Sequence, residues 1–341
     1  MARKFWAGLD VGVETTSVCV INDFGEVLHE ATCPTDVGSV YHEIVFLKRR
    51  RFARVSMETG MGIHLARGLR SLGYSVDVYE ARQLSKFLRA RRNKTDAGDA
   101  NGIAEAGRVG ATRISKVHLK SLEHQFLASR LAIRSHMIRT RVRAATLLYR
   151  QLELFGGRIR SRAMSGLLRT RAEAEIKKLF GKAPNPLVAE LRHLLGLCER
   201  LITYQVQMDR ELKRLASEIE VCRRFMEIPG IGPICALTFY AAVSEPHRFS
   251  RSVDVGSYLG LTPKLHESGL TKRVGRISKM GSVPTRTLLV RASTQFMKSS
   301  GCRHAAALLG TAGGATSRAW PSESCASPKA RHDHACDVEE R

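Results

Sequence analysis

The sequence has no apolar run approaching the ~18 residues of a membrane-spanning helix, and Met1-Ala2-Arg3-Lys4 leads into no signal-length apolar stretch. The expectation is a protein without membrane partners. No Cys-x-x-Cys occurs among Cys19, Cys33, Cys198, Cys222, Cys235, Cys302, Cys325 and Cys336. Such scatter argues against a disulfide framework and for free thiols in a reducing cytosol. His332, His334 and Cys336 have soft-metal chemistry, but they lie in an unpatterned tail and are read as ordinary residues. Acidic residues are scarce: 32 Asp+Glu against 55 Lys+Arg leave a net charge of +23. That excess excludes a neutral surface and points to a polyanionic partner, nucleic acid first.

Against so much positive charge, four acids in the first third stand out. Asp10 lies in Ala7-Gly8-Leu9-Asp10-Val11-Gly12 and Glu58 in Val55-Ser56-Met57-Glu58-Thr59-Gly60. Both end short apolar runs that read as strands. Asp96 and Asp99, in Lys94-Thr95-Asp96-Ala97-Gly98-Asp99, are spaced i, i+3 on one helix face. Converging carboxylates suit a hard divalent cation, which polarises a phosphoryl oxygen and generates a nucleophile at neutral pH. The alternative is ordinary surface or capping acids, Asp96 after Thr95 above all.

Residues 5–110 alternate strand and helix signals. Strands are expected over 5–10, 17–21, 26–33, 54–58 and 75–79, and helices over 37–47, 63–72, 82–91 and 96–107. Hairpins first and helix–strand alternation after them indicate a mixed α/β sheet, whose ligand sites gather at strand ends. Residues 117–155 form a long amphipathic pattern with Leu131, Ile138, Ala145 and Leu152 seven apart. Arg134, Arg139, Arg141 and Arg143 fall mostly off that stripe, and Arg158, Arg160, Arg162, Arg169 and Arg171 crowd the connection after it. Asn185-Pro186 reads as a cap followed by proline at the first helical position. From there Leu187, Leu191, Leu194, Cys198, Leu201, Gln205, Met208, Leu212, Leu215 and Ile219 alternate steps of four and three, a heptad seam. That seam fits a coiled coil between chains or an antiparallel hairpin within one. The boundaries drawn are 1–112, 113–221, 222–298 and an atypical, unstructured tail at 299–341, poor in large apolar residues. Out-of-frame translation after a frameshift would account for such a tail.

Three further features carry chemistry. Pro229-Gly230-Ile231-Gly232-Pro233 resembles the turn of a helix-hairpin-helix element, whose N–H groups face a phosphate; a plain turn is the alternative. Ser268, in His266-Glu267-Ser268-Gly269, reads by default as a turn serine. Behind it Lys272, Arg273, Arg276 and Lys279 suit a phosphate backbone. Arg49, Arg50, Arg51 and Arg54, with Arg89, Arg91, Arg92 and Lys94, flank the acids in sequence.

Together these segments resemble the insertion-sequence transposases with an N-terminal Asp-Glu-Asp-Asp (DEDD, RuvC-like) domain and a C-terminal serine-bearing transposase domain, also known as bridge-RNA-guided recombinases. The N-terminal match is Gly8-Leu9-Asp10-Val11, Met57-Glu58-Thr59-Gly60 and Lys94-Thr95-Asp96-x-x-Asp99-Ala100. The C-terminal match is Pro229-Gly230-Ile231-Gly232-Pro233, Arg248-Phe249, Tyr258-Leu259-Gly260-Leu261-Thr262-Pro263, Ser268-Gly269 and Gly275-Arg276-Ile277-Ser278-Lys279. The resemblance implies an α/β ribonuclease H-like fold of the RuvC type, a long helical coiled-coil middle and a mainly α C-terminal domain. It implies Asp10, Glu58, Asp96 and Asp99 as ligands of Mg²⁺ or Mn²⁺. Ser268 is implied as a nucleophile that forms a phosphoserine link and releases a 3′-hydroxyl, acids and serine meeting from different protomers. It further implies donor and target DNA, a noncoding bridge RNA, a dimer or tetramer, and the bacterial cytosol or nucleoid. Two departures stand against the family pattern: members usually continue in a basic helical C-terminus, and Leu270 replaces a more polar or glycine-rich stretch. The competing readings are a metal-dependent nuclease of the Holliday-junction-resolving type and a catalytically defective copy that still binds nucleic acid.

Overall fold

The computed structural model describes residues 4–45, 52–89, 95–110, 114–159, 167–181, 185–268 and 271–298. Arg49, Arg50, Arg51, Arg91, Arg92, Lys94, Arg160, Arg162, Gly269, Leu270 and segment 299–341 lie outside those residues, as does the side chain of Lys272. The chain divides into two compact units, Met1–Glu123 and His124–Arg341.

In the first unit, β1 (Phe5–Val11), β2 (Thr15–Asn22) and β3 (Val27–Pro34) form an antiparallel meander. Asn22 makes the turn from β2 to β3: its side-chain oxygen accepts from the backbone N–H of Phe24 at 2.9 Å and of Glu26 at 3.0 Å. Helix α1 (Val37–Val45) then leads to β4 (Phe52–Glu58), and α2 (Ile63–Ser71) to β5 (Val76–Tyr79). β4 lies parallel to β1 and β5 parallel to β4, giving a mixed sheet of order β3-β2-β1-β4-β5. The expected elements are all present, with ends that agree to within three residues among the described residues; expected helix residues 46, 47, 90 and 91 lie outside them.

Strand alternation assigns the two faces of the sheet. Ala7, Leu9, Val18, Val20, Val55, Met57, Val76 and Val78 point one way and form a core with Val40 and Ile44 of α1 and Leu65, Ala66 and Leu69 of α2. The opposite face is covered by α3 (Ala81–Leu88) and α4 (Asp96–Gly110). There Cys19 and Ile21 meet Ala100 and Ala104, while Tyr79 and Leu84 meet Ile103 and Ala106.

The second unit opens with α5 (Leu122–Leu154), followed by α6 (Leu168–Phe180) and α7 (Pro186–Glu218). As the sequence predicts, Asn185 caps α7 by accepting from the Leu187 N–H at 2.9 Å. α5 and α7, each 33 residues and about 50 Å long, run antiparallel. Arg130 pairs with Glu211 and Arg134 with Asp209 near one end. Near the other, Ala144, Leu148 and Leu152 pack with Val188, Leu191, Leu195 and Cys198. The heptad residues Leu191, Cys198, Met208 and Leu212 are therefore buried inside this chain.

Val188, Leu195 and Ala216 join them, because a third element widens the stripe beyond a two-helix seam. Near 188–198 that element is α6, which the arginine-rich connection concealed. Near 212–219 it is the pair α8 (Glu220–Met226) and α9 (Pro233–Val243). Arg141, expected off the stripe, is buried at 7% exposure. It neighbours Cys198 and is lost as a surface contact.

The C-terminal region continues from α9 through a 3₁₀ turn at Pro246–Arg248 to α10 (Ser252–Tyr258). After the antiparallel strands β6 (Pro263–Ser268) and β7 (Thr271–Ile277), the described part ends in α11 (Val283–Lys298). The mainly α expectation needs one correction here: Ser268 ends a strand of a two-stranded ribbon instead of sitting in a plain turn. All six residues of β6 are exposed. With no buried face, the ribbon leaves no apolar alternation for a sequence reading to find.

Candidate functional site

Three elements bring the four acids to one end of the first unit's sheet. Trp6, Gly8 and Asp10 share the face of β1 that α4 covers, as period two requires. α4 runs antiparallel to β1: Gly107 lies over Trp6 and Ser56, and Ala100 and Ala104 over Gly8. A Cβ on Gly107 would stand 3.5 Å from Trp6 Cδ1 and 2.3 Å from Ser56 Oγ. One on Gly8 would stand 2.0 Å from the Ala100 carbonyl oxygen and 2.3 Å from the Ala104 nitrogen. One further helical turn brings Asp96 and Asp99 toward the end of β1 that carries Asp10.

β4 supplies the fourth acid. Gly8 pairs with Ser56 and Leu9 with Met57 in parallel register. Asp10 and Glu58 are the next positions, on neighbouring strands about 4.8 Å apart. Glu58 also pairs across to Tyr79 at the end of β5. Thr95 starts α4: its hydroxyl accepts from the Gly98 N–H at 3.1 Å and its carbonyl from the Asp99 N–H at 2.7 Å. Thr95 is thus the cap, and Asp96 and Asp99 occupy the first turn. Asp10, Glu58 and Asp99 are half-buried and Asp96 is exposed.

Among the described residues, no three His, Cys, Asp or Glu side chains stand close enough to form a ready metal cage. The donor set still fits Mg²⁺ or Mn²⁺. Mg²⁺ is a hard ion that takes one or two carboxylates and completes its shell with water and substrate phosphate.

In the second unit the glycine turn has two different sides. Gly230, at φ +91°, backs onto α11, where a Cβ would stand 2.6 Å from the Ala292 carbonyl oxygen. Gly232 caps α9 without a side-chain partner and has nothing within 4 Å of its Cβ position. Only the Gly232 side is therefore open to a phosphate. Pro233 has no N–H, so Ile234 and Cys235 carry the first free amides of α9.

The ribbon that carries Ser268 is fixed at its root. The Ser278 N–H donates to the Thr262 carbonyl at 2.8 Å and the Lys279 N–H to that of Gly260 at 3.1 Å. Gly260 and Gly281 hold φ of +69° and +83°. Cβ atoms there would stand 1.9 Å from the Met280 and 2.1 Å from the Tyr258 carbonyl oxygens. Arg286, 8% exposed, donates to the carbonyls of Leu259 at 3.0 Å and Met280 at 3.1 Å, gripping both legs of the ribbon. Beside this root the Arg248 guanidinium lies 4.1 Å from the Phe249 ring centre and 4.2 Å from that of Tyr258. Gly260→Ala is expected to cost about 2 kcal/mol or more, from a clash with backbone at a left-handed φ. A fall in the urea midpoint with an unchanged slope measures it.

Arg273, Arg276 and Lys279 are exposed on or just beyond β7, as a phosphate-contacting group requires. Burial pushes the thiols of Cys33, Cys198 and Cys235 up, and that of Cys222 up to about 11. None of these thiols is poised as a nucleophile. Sequence reasoning overlooked Arg286. Gly260 and Gly281 were a usable signal for the root, because paired glycines flanking a short segment mark close backbone approach.

Residues 7–156 match a family model described as Transposase, of the DEDD type of IS110 elements. Residues 222–316 match the model described as Transposase IS116/IS110/IS902 family. The transposase for insertion sequence element IS1111A of Coxiella burnetii is 27% identical over 303 residues, covering 85% of this chain and 77% of the relative. The putative transposase y4pF/y4sB of Sinorhizobium fredii is 31% identical over 251 residues, covering 72% of this chain and 62% of the relative. Among solved structures, RuvC of T. thermophilus in complex with a Holliday junction substrate aligns with 33% of this chain and 99% of its own, at 16% identity and a TM-score of 0.27.

Proposed function

As the chain belongs to the IS116/IS110/IS902 family of transposases, we propose that it cleaves and rejoins DNA through Ser268, aided by a divalent cation on Asp10, Glu58, Asp96 and Asp99. The supporting observation is the convergence of β1, β4 and the first turn of α4, which brings acids to one sheet end in a chain of net charge +23. Such a cation supplies Lewis-acid stabilisation of charge on a phosphodiester.

The chain's own residues do the rest. Asp10 and Glu58 project from the ends of two neighbouring, hydrogen-bonded strands. Asp96 and Asp99 project from a helix whose approach Gly8 sets. Ser268 presents a hydroxyl at the end of an exposed strand, where a duplex has access. In this reading Arg273 and Arg276 each clamp phosphate oxygens by bidentate guanidinium contacts. The open Gly232 turn offers amides to a second phosphate. Guidance by a noncoding RNA of the element follows from the family resemblance, and the large positive charge is compatible with it.

The reading is tested by incubating the whole chain with a labelled fragment of its element and Mg²⁺, then digesting the DNA. A protein–DNA adduct resistant to denaturation is expected, and Ser268→Ala abolishes it. Strand cleavage that survives Ser268→Ala with no adduct would instead establish water as the nucleophile. Binding carries its own expectation: Arg276→Ala weakens affinity evenly across sequences and lowers the slope of log K against log[salt] by about 1, readable by anisotropy.

A further inference from the structure

The outer face of α7 carries a second periodic pattern. Gly196, Arg200, Thr203, Gln207, Arg210 and Arg214 follow one another in steps of three and four, and so share one helix face. That face lies opposite the buried seam of Leu191, Cys198 and Leu212. The side chains of the row are exposed, as is Tyr204 beside them at 44%. With Arg169 from the first turn of α6, Gly196, Arg200, Thr203, Tyr204 and Gln207 border an open cavity of about 480 Å³. The carboxylates around this face are already taken: Glu199 by Arg169 at 3.1 Å, Glu173 by Arg192 at 3.3 Å, Glu211 by Arg130 at 2.7 Å and Glu218 by Arg214 at 3.5 Å. Among the described residues, Arg200 and Arg210 form no ion pair, so two guanidinium charges stay uncompensated. Gly196 has no packing reason to be glycine, since its Cβ position meets only Arg200 Nη1, at 3.6 Å. Glycine weakens a helix interior, and here it leaves the cavity floor bare beneath the Arg200 guanidinium.

We propose that this face of α7 binds a single strand of nucleic acid, with one unpaired base stacked on Tyr204 and phosphates held by Arg200 and Arg210. The proposal goes beyond cleavage at Ser268 and does not rest on it. Arg200 and Arg210 are ten residues apart, about 15 Å along the helix axis, with Tyr204 between them. Planar guanidinium forks match phosphate oxygens on either side of a stacked base. Tyr204 decides between a strand and a duplex. Bases within a duplex are stacked on one another and present only their edges in the grooves. An unpaired base offers its flat face, and every base has one. Thr203 and Gln207 add hydrogen-bonding groups that serve a sugar or a base edge of any identity. Binding here is therefore selective for a single strand and tolerant of its sequence.

Photo-crosslinking tests this on the whole chain without metal. A short oligonucleotide carrying bromouracil, made once as RNA and once as DNA, is irradiated with the protein, and adducts are mapped by mass spectrometry. An adduct in the peptide that carries Tyr204 is expected, with Tyr204→Ala as the blank. Its yield against oligonucleotide concentration reads the affinity of this face alone. Replacing Arg200 and Arg210 together by Ala should lower that affinity about tenfold and reduce the slope of log K against log[salt] by about 1.4. Gly196→Leu, a better helix former that fills the cavity floor, should lower it while Tm stays or rises. Equal yields with both sugars support contact through base and phosphate, and a stronger RNA adduct supports a further contact to the 2′-hydroxyl. Adducts confined to other peptides, or an unchanged affinity in the double arginine variant, would overturn the proposal. So would a duplex competitor that displaces the oligonucleotide as well as an unlabelled single strand does. If Tyr204→Ala leaves the adduct pattern unchanged and lowers the mass in solution, the face joins copies of this chain and the proposal fails. The crosslink needs neither Mg²⁺ nor the Ser268 hydroxyl, so the nucleophile reading stands or falls separately, on the DNA adduct.

Discussion

Asp10→Asn is expected to lower DNA strand cleavage by about 10³-fold or more while leaving DNA binding intact or slightly tighter. The substitution keeps the shape of the side chain and removes one negative charge. The backbone of β1 is bonded on both sides, to β2 and β4, so the position of residue 10 does not change. What changes is the charge offered to a cation on that sheet end. Lewis-acid stabilisation of a phosphoryl transition state is worth several kcal/mol, and each 1.36 kcal/mol is tenfold in rate. Binding moves the other way because a carboxylate near a phosphate backbone repels it, and the amide does not. Glu58→Gln should resemble it, and the double variant should be little worse than either, since groups acting as a unit are not additive. The check is single-turnover cleavage beside anisotropy titration at one salt concentration. Normal cleavage with weakened binding would remove Asp10 from the metal set.

The first unit was legible because its signals are local and strong. Asp10 and Glu58 each close an apolar run, and Thr95 stands before the acid pair. The register that sets Asp10 beside Glu58 was not legible, because parallel strands 48 positions apart declare no pairing in sequence. The cap at Asn185 was legible for the same local reason. The heptad seam announced burial correctly and left its partner open, since a periodic apolar stripe fits a facing helix of any origin. Its partner is α5 of the same chain, with α6 wedged beside it.

Arg141 shows the limit of reading polarity as exposure. An arginine off the stripe is still buried when a neighbouring helix leans over it, and its long apolar stem tolerates that. The ribbon was hidden for the opposite reason. It buries no face, so only the glycines and carbonyls at its root define it.

Gly8→Val is expected to unfold or severely weaken the first unit, at a cost of about 4 kcal/mol or more. Strand propensity alone predicts the reverse, since valine outranks glycine in β-structure. The contacts decide it. The nearest atoms to the new Cβ are the Ala100 carbonyl oxygen and the Ala104 nitrogen, both backbone and both members of the α4 hydrogen-bond ladder. No rotamer change relieves a backbone contact, so the whole helix must lift. Lifting it uncovers Cys19, Ile21, Ala100 and Ala104 and breaks the approach of Ile103 to Tyr79. Over-packing a core by a methylene or two typically costs 1–3 kcal/mol, and a rigid neighbour takes the cost beyond that range. For a unit of this size, about 4 kcal/mol corresponds to a fall of roughly 15–30 °C in Tm. Calorimetry reads it directly. Whatever fraction stays folded should cleave DNA poorly, because a raised α4 carries Asp96 and Asp99 away from Asp10 and Glu58. A Gly8→Val variant with parent stability would mean that α4 does not press on β1, and the convergence of the four acids would lose its structural basis.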